Sequence, residues 1–344
     1  MKIQAGTSTT DQNRYVIEKI PEIKKLKNEG VLSINYQKIS SISYLIPMRI
    51  IISLTELLSF PGKRKLISCN LPYSFFFETR TRCNNICPFC PASIQNDTRN
   101  DLYMAEKTFK KCIDELSTLD YHGTIWLHNY NEPLLDKRIV SFIRYASKQL
   151  PKAKLSLMTN GILLSPRYGI RLLEAGLDDL VIDNYSDNGI LIKNVKNFLI
   201  KVASDKSYYQ HKFFFLEMRI LNAKGDSRAG NSPNRKYNLQ PLKLICDWPF
   251  RSFVVTNNGD VGLCCKDFKF ECVMGNVNRQ SIVEIWNGDK FKHARKELFK
   301  GNRTWNPLCS KCDGWMGWDG VYNGTLGLAF LFEHLIGTIT RWEI

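Results

Sequence analysis

Three cysteines crowd into eight residues of the stretch TRCNNICPFCPAS, at Cys83, Cys87 and Cys90. A disulfide pairs two thiols and a closed zinc site takes four ligands, so a set of three needs another explanation. Three thiolates can hold three irons of a [4Fe–4S] cube and leave the fourth iron open. An open metal position is what a catalytic site requires. The alternatives are a zinc ion that borrows a distant fourth ligand and a chance cluster of buried thiols. A second, looser group runs from Cys246 through Cys264, Cys265, Cys272, Cys309 and Cys312. Such grouping, in a chain of cytoplasmic character with eleven cysteines, points to metal or catalysis rather than to disulfides.

Elements must hold these thiols in place, and from residue 72 strands and helices alternate. YSFFFETR reads as a strand that leads directly into the cysteine loop. AEKTFKKCIDELSTL has apolar residues at helical spacing, TIWLHN is a strand, and 136–149 a helix. KLSLMT is a third strand, ending in the turn Asn160-Gly161. SPRYGIRLLEAG is a helix with Ser165 as its N-cap and Pro166 in its first turn. DLVID is a strand, 189–203 a helix, and KFFFLEMRI a fifth strand. Repeated β-α units imply a parallel sheet, either a partial barrel or a doubly wound sheet. In both, the site lies at the carboxyl ends of the strands, where the three cysteines fall.

Four segments are expected. Residues 1–70 form an N-terminal helical extension, with one amphipathic helix in RYVIEKIPEIKKLKNEG closed by Gly30 and another at 46–60. Residues 71–240 form the core, whose polar end, 221–240, reads as a linker or substrate loop. Residues 241–320 form a small domain with a hairpin in RSFVVTNNGDVGLCC and a helix near 281–299. Residues 321–344 are a tail. The apolar runs at 45–58 and 326–337 are too short and too interrupted by charge to span a bilayer.

The cysteine spacing, Phe89 just before the last of the three thiols, and the strand before them resemble radical S-adenosylmethionine (SAM) enzymes. The resemblance covers about residues 72–222. It implies a partial (β/α)6 TIM-type barrel and a cluster whose open iron binds the amino and carboxylate groups of SAM. An electron from the cluster would then break a C–S bond, and the resulting 5′-deoxyadenosyl radical would abstract hydrogen from substrate. Tyr130-Asn131-Glu132-Pro133 resembles the family's Gly-Gly-Glu-Pro segment, which binds the SAM amino group. Glu132 and Pro133 match and the two glycines do not. The family's turn after the third strand resembles Thr159-Asn160-Gly161. By the same resemblance Asp183, Asn184 and Arg219 are candidates for the SAM ribose and carboxylate.

The later cysteines resemble the start of the SPASM pattern, truncated to the form called a twitch domain. That likeness implies a small C-terminal β-hairpin/helix domain with an auxiliary [4Fe–4S] cluster on Cys246, Cys264, Cys309 and Cys312. A zinc ion on the same four thiols is the alternative, and Cys265 could replace Cys264. Cys69, Cys112 and Cys272, with Cys265 if it is no ligand, read as structural. Cys265 or Cys272 could instead donate a hydrogen atom to a substrate radical.

The functions implied are dehydrogenation of a carbohydrate-like or aminocyclitol substrate, with the auxiliary cluster taking the electron, or epimerisation of a sugar using a cysteine donor. Peptide modification is a third option. Arg219, Arg228 and Asp183 are candidate bases. Flavodoxin or ferredoxin is the implied electron donor. The net charge of +15 suits an anionic substrate. The lysines are dispersed, and the aromatics lie in strands and around the last cysteine pair, which argues against nucleic acid.

Overall fold

The computed structural model describes residues 20–36, 71–221, 226–236, 240–243 and 246–314. The expected helix at 46–60, Cys69 and the tail 321–344 lie outside the described residues. Nine strands are described: β1 (Leu32–Tyr36), β2 (Ser74–Phe77), β3 (Thr124–Trp126), β4 (Lys154–Thr159), β5 (Asp179–Tyr185), β6 (Phe213–Arg219), β7 (Ser252–Val255), β8 (Asp260–Gly262) and β9 (Val273–Asn276). They form one sheet in the order β1-β6-β5-β4-β3-β2-β7-β8-β9. Strands β1 to β6 are parallel, as a partial (β/α)6 barrel requires. Among the described residues no helix is long and apolar enough to cross a membrane.

Two strands come from unexpected places. The sixth parallel strand, β1, lies in the N-terminal segment, just after the helix Pro21–Asn28. At the other edge β7 pairs in parallel with β2, so the sheet runs on into the cysteine-rich region. The antiparallel hairpin follows from there, through β8 to β9. Its turn uses Gly259 at φ +86°, a left-handed conformation that costs glycine nothing. The helix expected near 281–299 is two helices, Ile282–Trp286 and Asp289–Phe299. The break falls at Gly288, whose extended backbone (ψ 164°) starts the second helix.

Alternation along β2 explains how the sheet is covered on both faces. Phe75 and Phe77 face outward, where Phe75 meets Tyr121 at 5.2 Å and Phe253 at 5.0 Å. Phe77 meets Phe109, on the helix Glu106–Thr118, at 5.2 Å. Phe76 points the other way, stacking on Trp126 at 6.0 Å and reaching Trp248 at 6.2 Å. The helix Pro166–Glu174 starts as expected, with the Ser165 hydroxyl accepting from the Tyr168 N–H at 3.2 Å.

Because Phe253 on β7 packs on Phe75 of β2, both regions share one core. We expect Phe253→Ala to cost about 3–5 kcal/mol. Urea unfolding followed by fluorescence and by circular dichroism should give one coincident transition, shifted as a whole; two separated transitions would contradict a shared core.

Candidate active site

The three-cysteine loop leaves β2 and is fastened by Arg99. Its guanidinium donates to Glu78 Oε1 at 2.8 Å, to the carbonyls of Thr81 at 3.1 Å and Tyr130 at 2.9 Å, and to Asp97. It also lies 4.2 Å over the Phe268 ring. Glu78 is fully buried and accepts further from the Tyr130 N–H at 3.0 Å and Asn129 at 3.2 Å. Burial raises the Glu78 pKa, and the Arg99 charge opposes that rise. Cys83, Cys87 and Cys90 converge inside this frame. Burial pushes the Cys83 thiol up to about 12, and Cys90 adds to the shift. Cys87 is raised by burial and by both neighbouring thiols.

The carboxyl ends of β3 and β4 meet at Glu132. Its Oε1 accepts from the Leu134 N–H at 3.0 Å and the Thr159 hydroxyl at 2.7 Å. Its Oε2 accepts from the Asn160 N–H at 2.8 Å. Burial raises its pKa to about 7 against the pull of these donors. Asn160 donates to Asn84 at 2.8 Å and lies 3.8 Å from Cys83 Sγ, joining this strand end to the thiol loop. Gly161 makes the turn at φ +75°, where a Cβ would come 2.4 Å from Val195. Pro133 opens a short 3-10 turn capped by Glu132, and the Asn131 side chain accepts from the Asn129 N–H at 2.9 Å in the loop before it. Phe89 packs 5.8 Å from Tyr185 at the end of β5.

Several candidate side chains are engaged by neighbours. Arg219 pairs with Asp183 at 2.7 Å, and that charge raises its pKa against burial. Asp183 is engaged by the same bond and by the Tyr185 hydroxyl at 3.3 Å. The Cys272 sulfur receives the Asn306 amide at 3.1 Å and lies 4.0 Å from Met274. Its charge is felt at Cys309, so it belongs with the later thiols. Asn184 caps a loop instead, bonding Ile190 and Ile192. Cys112 is fully buried in its helix.

Cys246, Cys264, Cys309 and Cys312 line a single cavity with Trp248, Leu263, Leu298, Leu308 and Arg303. Neither Cys265 nor Cys272 lines it. The two adjacent cysteines diverge: Cys264 feels Cys246, Cys309 and Cys312, whereas Cys265 feels Lys266, Asp226 and Arg228. Among the described residues, no three His, Cys, Asp or Glu side chains come close enough to hold a single metal ion. Four thiols around one cavity match the ligand count of a closed cluster.

Residues 226–236 bridge the two thiol groups. The Ser232 hydroxyl donates to the Phe89 carbonyl at 3.0 Å, and the Ser227 N–H donates to Asp313 at 2.7 Å. Between them Arg228 lies 5.6 Å over each of the Phe89 and Tyr130 rings. Asp226 forms an ion pair with Lys266.

Residues 78–186 match the family model of the radical SAM superfamily, and residues 246–313 that of the SPASM iron-sulfur cluster-binding domain. A curated relative, the S-adenosyl-L-methionine-dependent 2-deoxy-scyllo-inosamine dehydrogenase of Niallia circulans, is 30% identical over 69% of this chain and 90% of its own length. The chain belongs to the radical SAM superfamily. Its cofactors are accordingly SAM and [4Fe–4S] clusters. Among solved structures, BtrN in complex with AdoMet and 2-DOIA matches with a TM-score of 0.61 at 28% identity, covering 72% of this chain and 94% of that one. A selenomethionine form of BtrN in an open conformation gives 0.52 at 27% identity, covering 71% and 93%.

For a radical SAM site, several residues escaped sequence reasoning. Glu78 and Arg99 carry no motif, although Glu78 directly follows the first core strand. His128 is buried between Phe76 and Trp126, with Nδ1 unpartnered, and burial lowers its pKa to about 3. The Tyr130 hydroxyl is likewise buried without a partner. Tyr130 lies in the segment the sequence marked, but as a departure from the family's glycine, and His128 carries no motif.

Glu132 yields a pH test. Its pKa is raised on folding, so between about 4.5 and about 7 the folded chain keeps a proton that the unfolded chain releases. Its contribution is most favourable below about 4.5 and is lost as pH rises to about 7, by at most about 3 kcal/mol. Urea unfolding of the cluster-free protein at pH 5 and 8 should show this loss, and Glu132→Gln should flatten it. An unchanged slope in the variant would contradict the assignment.

Proposed function

We propose that this chain is a dehydrogenase that oxidises a secondary alcohol of a small polyhydroxylated ring, an aminocyclitol or a sugar, to the ketone. Radical SAM oxidoreduction is common to it and the Niallia circulans relative, whose name specifies an aminocyclitol. The observation that carries the finer reading is the pairing of an open three-thiol loop with a closed four-thiol cavity. When bound, SAM at the open cluster supplies the radical that removes hydrogen, and the closed cluster supplies an electron acceptor.

In this reading Cys83, Cys87 and Cys90 hold the first cluster and Cys246, Cys264, Cys309 and Cys312 the second. Glu132 has about four lone-pair sites and three donors on them, which leaves one for the SAM ammonium. The Asp183–Arg219 pair at the neighbouring strand ends offers polar contacts for ribose or carboxylate. Asn160 and Pro133 shape the backbone beside Glu132, and Asn131 holds the loop that leads to it. Phe89 forms an apolar wall. Among the described residues the Arg228 guanidinium has no hydrogen-bond acceptor, and its five donors suit substrate oxygens. Arg228 orients rather than accepts a proton, since the charges of Cys90 and Asp226 favour its cationic form against burial. A low-potential donor such as flavodoxin or ferredoxin would reduce the first cluster.

One observation favours a second reading, epimerisation. Cys265 stands outside the four-thiol cavity, and its charge bears on Tyr130, next to Arg228. A thiol there could return a hydrogen atom to the substrate radical.

The test is anaerobic reconstitution with SAM and dithionite, offering aminocyclitols and sugars deuterated at each ring carbon. We expect deuterium in 5′-deoxyadenosine and a ketone product, with Cys265→Ala retaining ketone formation. An epimer carrying one solvent deuterium, abolished by Cys265→Ala, would favour the second reading. No 5′-deoxyadenosine with any of the substrates would count against both.

A further inference from the structure

The segment 226–236 holds three consecutive residues in left-handed backbone: Arg228 at φ +48°, Ala229 at +56° and Gly230 at +84°. Only the last is a glycine, so the conformation at Arg228 and Ala229 is unfavourable by itself and must be held from outside. Local bonds supply part of the hold. The Arg228 N–H donates to Asp226 at 2.9 Å, and the N–H groups of Gly230 and Ser232 donate to the Ser227 carbonyl at 2.9 and 3.0 Å. All of these bonds converge on Asp226 and Ser227. Ser227 is anchored by Asp313: its N–H lies 2.7 Å and its hydroxyl 2.8 Å from Asp313 Oδ1. The same hydroxyl is 3.1 Å from the Lys311 carbonyl. Arg235 pairs with the other Asp313 oxygen at 2.8 Å. Lys311 and Asp313 flank Cys312, the last thiol of the four-thiol cavity.

We infer that Asp313 is a positioning residue, which couples occupation of the auxiliary cluster site to the conformation of the Arg228 segment. With Cys309 and Cys312 drawn onto a cluster, Lys311 and Asp313 are fixed beside them. Asp313 then fixes Ser227, and Ser227 sets the left-handed turn that presents Arg228 between Phe89 and Tyr130. The Ser232 bond to the Phe89 carbonyl secures the far end on the other thiol loop. An empty auxiliary site releases the near end. The inference rests on the proposed reading only in taking Arg228 as a substrate contact; the coupling itself needs no substrate.

Hydrogen exchange on the full chain tests it without turnover. Wild-type protein is compared cluster-free and after anaerobic reconstitution, with iron and sulfide measured on each sample. We expect reconstitution to slow exchange in 226–236 by about tenfold or more. The paired change Cys309→Ala and Cys312→Ala should leave the segment at the cluster-free rate. Asp313→Ala should take up iron and sulfide as wild type does, yet lose most of the gain. Asp313→Asn, which keeps the acceptor for Ser227, should retain it. Should Asp313→Ala not fold, Ser227→Ala serves instead, with a smaller gain expected. Equal protection with and without clusters, or a full gain in both Asp313→Ala and Ser227→Ala, would overturn the coupling. Neither result depends on whether any alcohol is oxidised, so failure of the proposed reaction is read separately.

Discussion

The ion pair between Arg99 and Glu78 governs the geometry of the site. Glu78 is fully buried, and a buried carboxylate is costly unless it is paired and fully hydrogen-bonded. Arg99 meets that demand while also donating to the carbonyls of Thr81 and Tyr130. Those carbonyls lie on the approach to the three-thiol loop and on the approach to Glu132. One guanidinium therefore sets the distance between the two loops, and its stacking on Phe268 brings the cysteine-rich region against them. Removing Arg99 would leave the buried Glu78 without its countercharge, whereas Arg99 would keep Asp97.

On that frame the chain keeps its clustered thiols in two sets of different character. The set of three opens onto the strand ends, where Glu132 retains an unused lone pair. The set of four encloses a cavity walled by apolar side chains together with Arg303 and Lys266. The continuous sheet, from β1 through β2 to β9, joins the regions that carry the two sets. Residues 226–236 then cross from one to the other and carry the arginine that faces the space between. An open and a closed site on one scaffold suit a reaction that takes a hydrogen atom at one place and an electron at another.

Much of this was legible in the sequence, for identifiable reasons. Alternating apolar runs locate β2 to β6 because strands covered on both faces must be apolar. Ser165-Pro166 marks a helix start through chemistry local to four residues. Cysteine spacing marks the two sets because ligation restricts loop length. What escaped depends on tertiary contact. LSINY is short and only half apolar, and it becomes β1 by pairing with β6. VMGN becomes β9 only against β8. The Asp183–Arg219 pair follows from β5 lying beside β6, which spacing does not state. Cys264 and Cys265 are neighbours in sequence and were interchangeable there. The backbone turns one toward the cavity and the other toward Arg228.

The proposed chemistry requires that the two thiol sets hold two iron–sulfur clusters, one open and one closed. Iron, zinc and acid-labile sulfide should be counted per chain after anaerobic purification and reconstitution. We expect about eight irons and eight sulfides in the wild type. About four of each are expected when Cys309 and Cys312 are both changed to alanine, with the cluster on Cys83, Cys87 and Cys90 still binding SAM. Zinc without sulfide, or an unchanged iron count in the Cys309 and Cys312 variant, would contradict it.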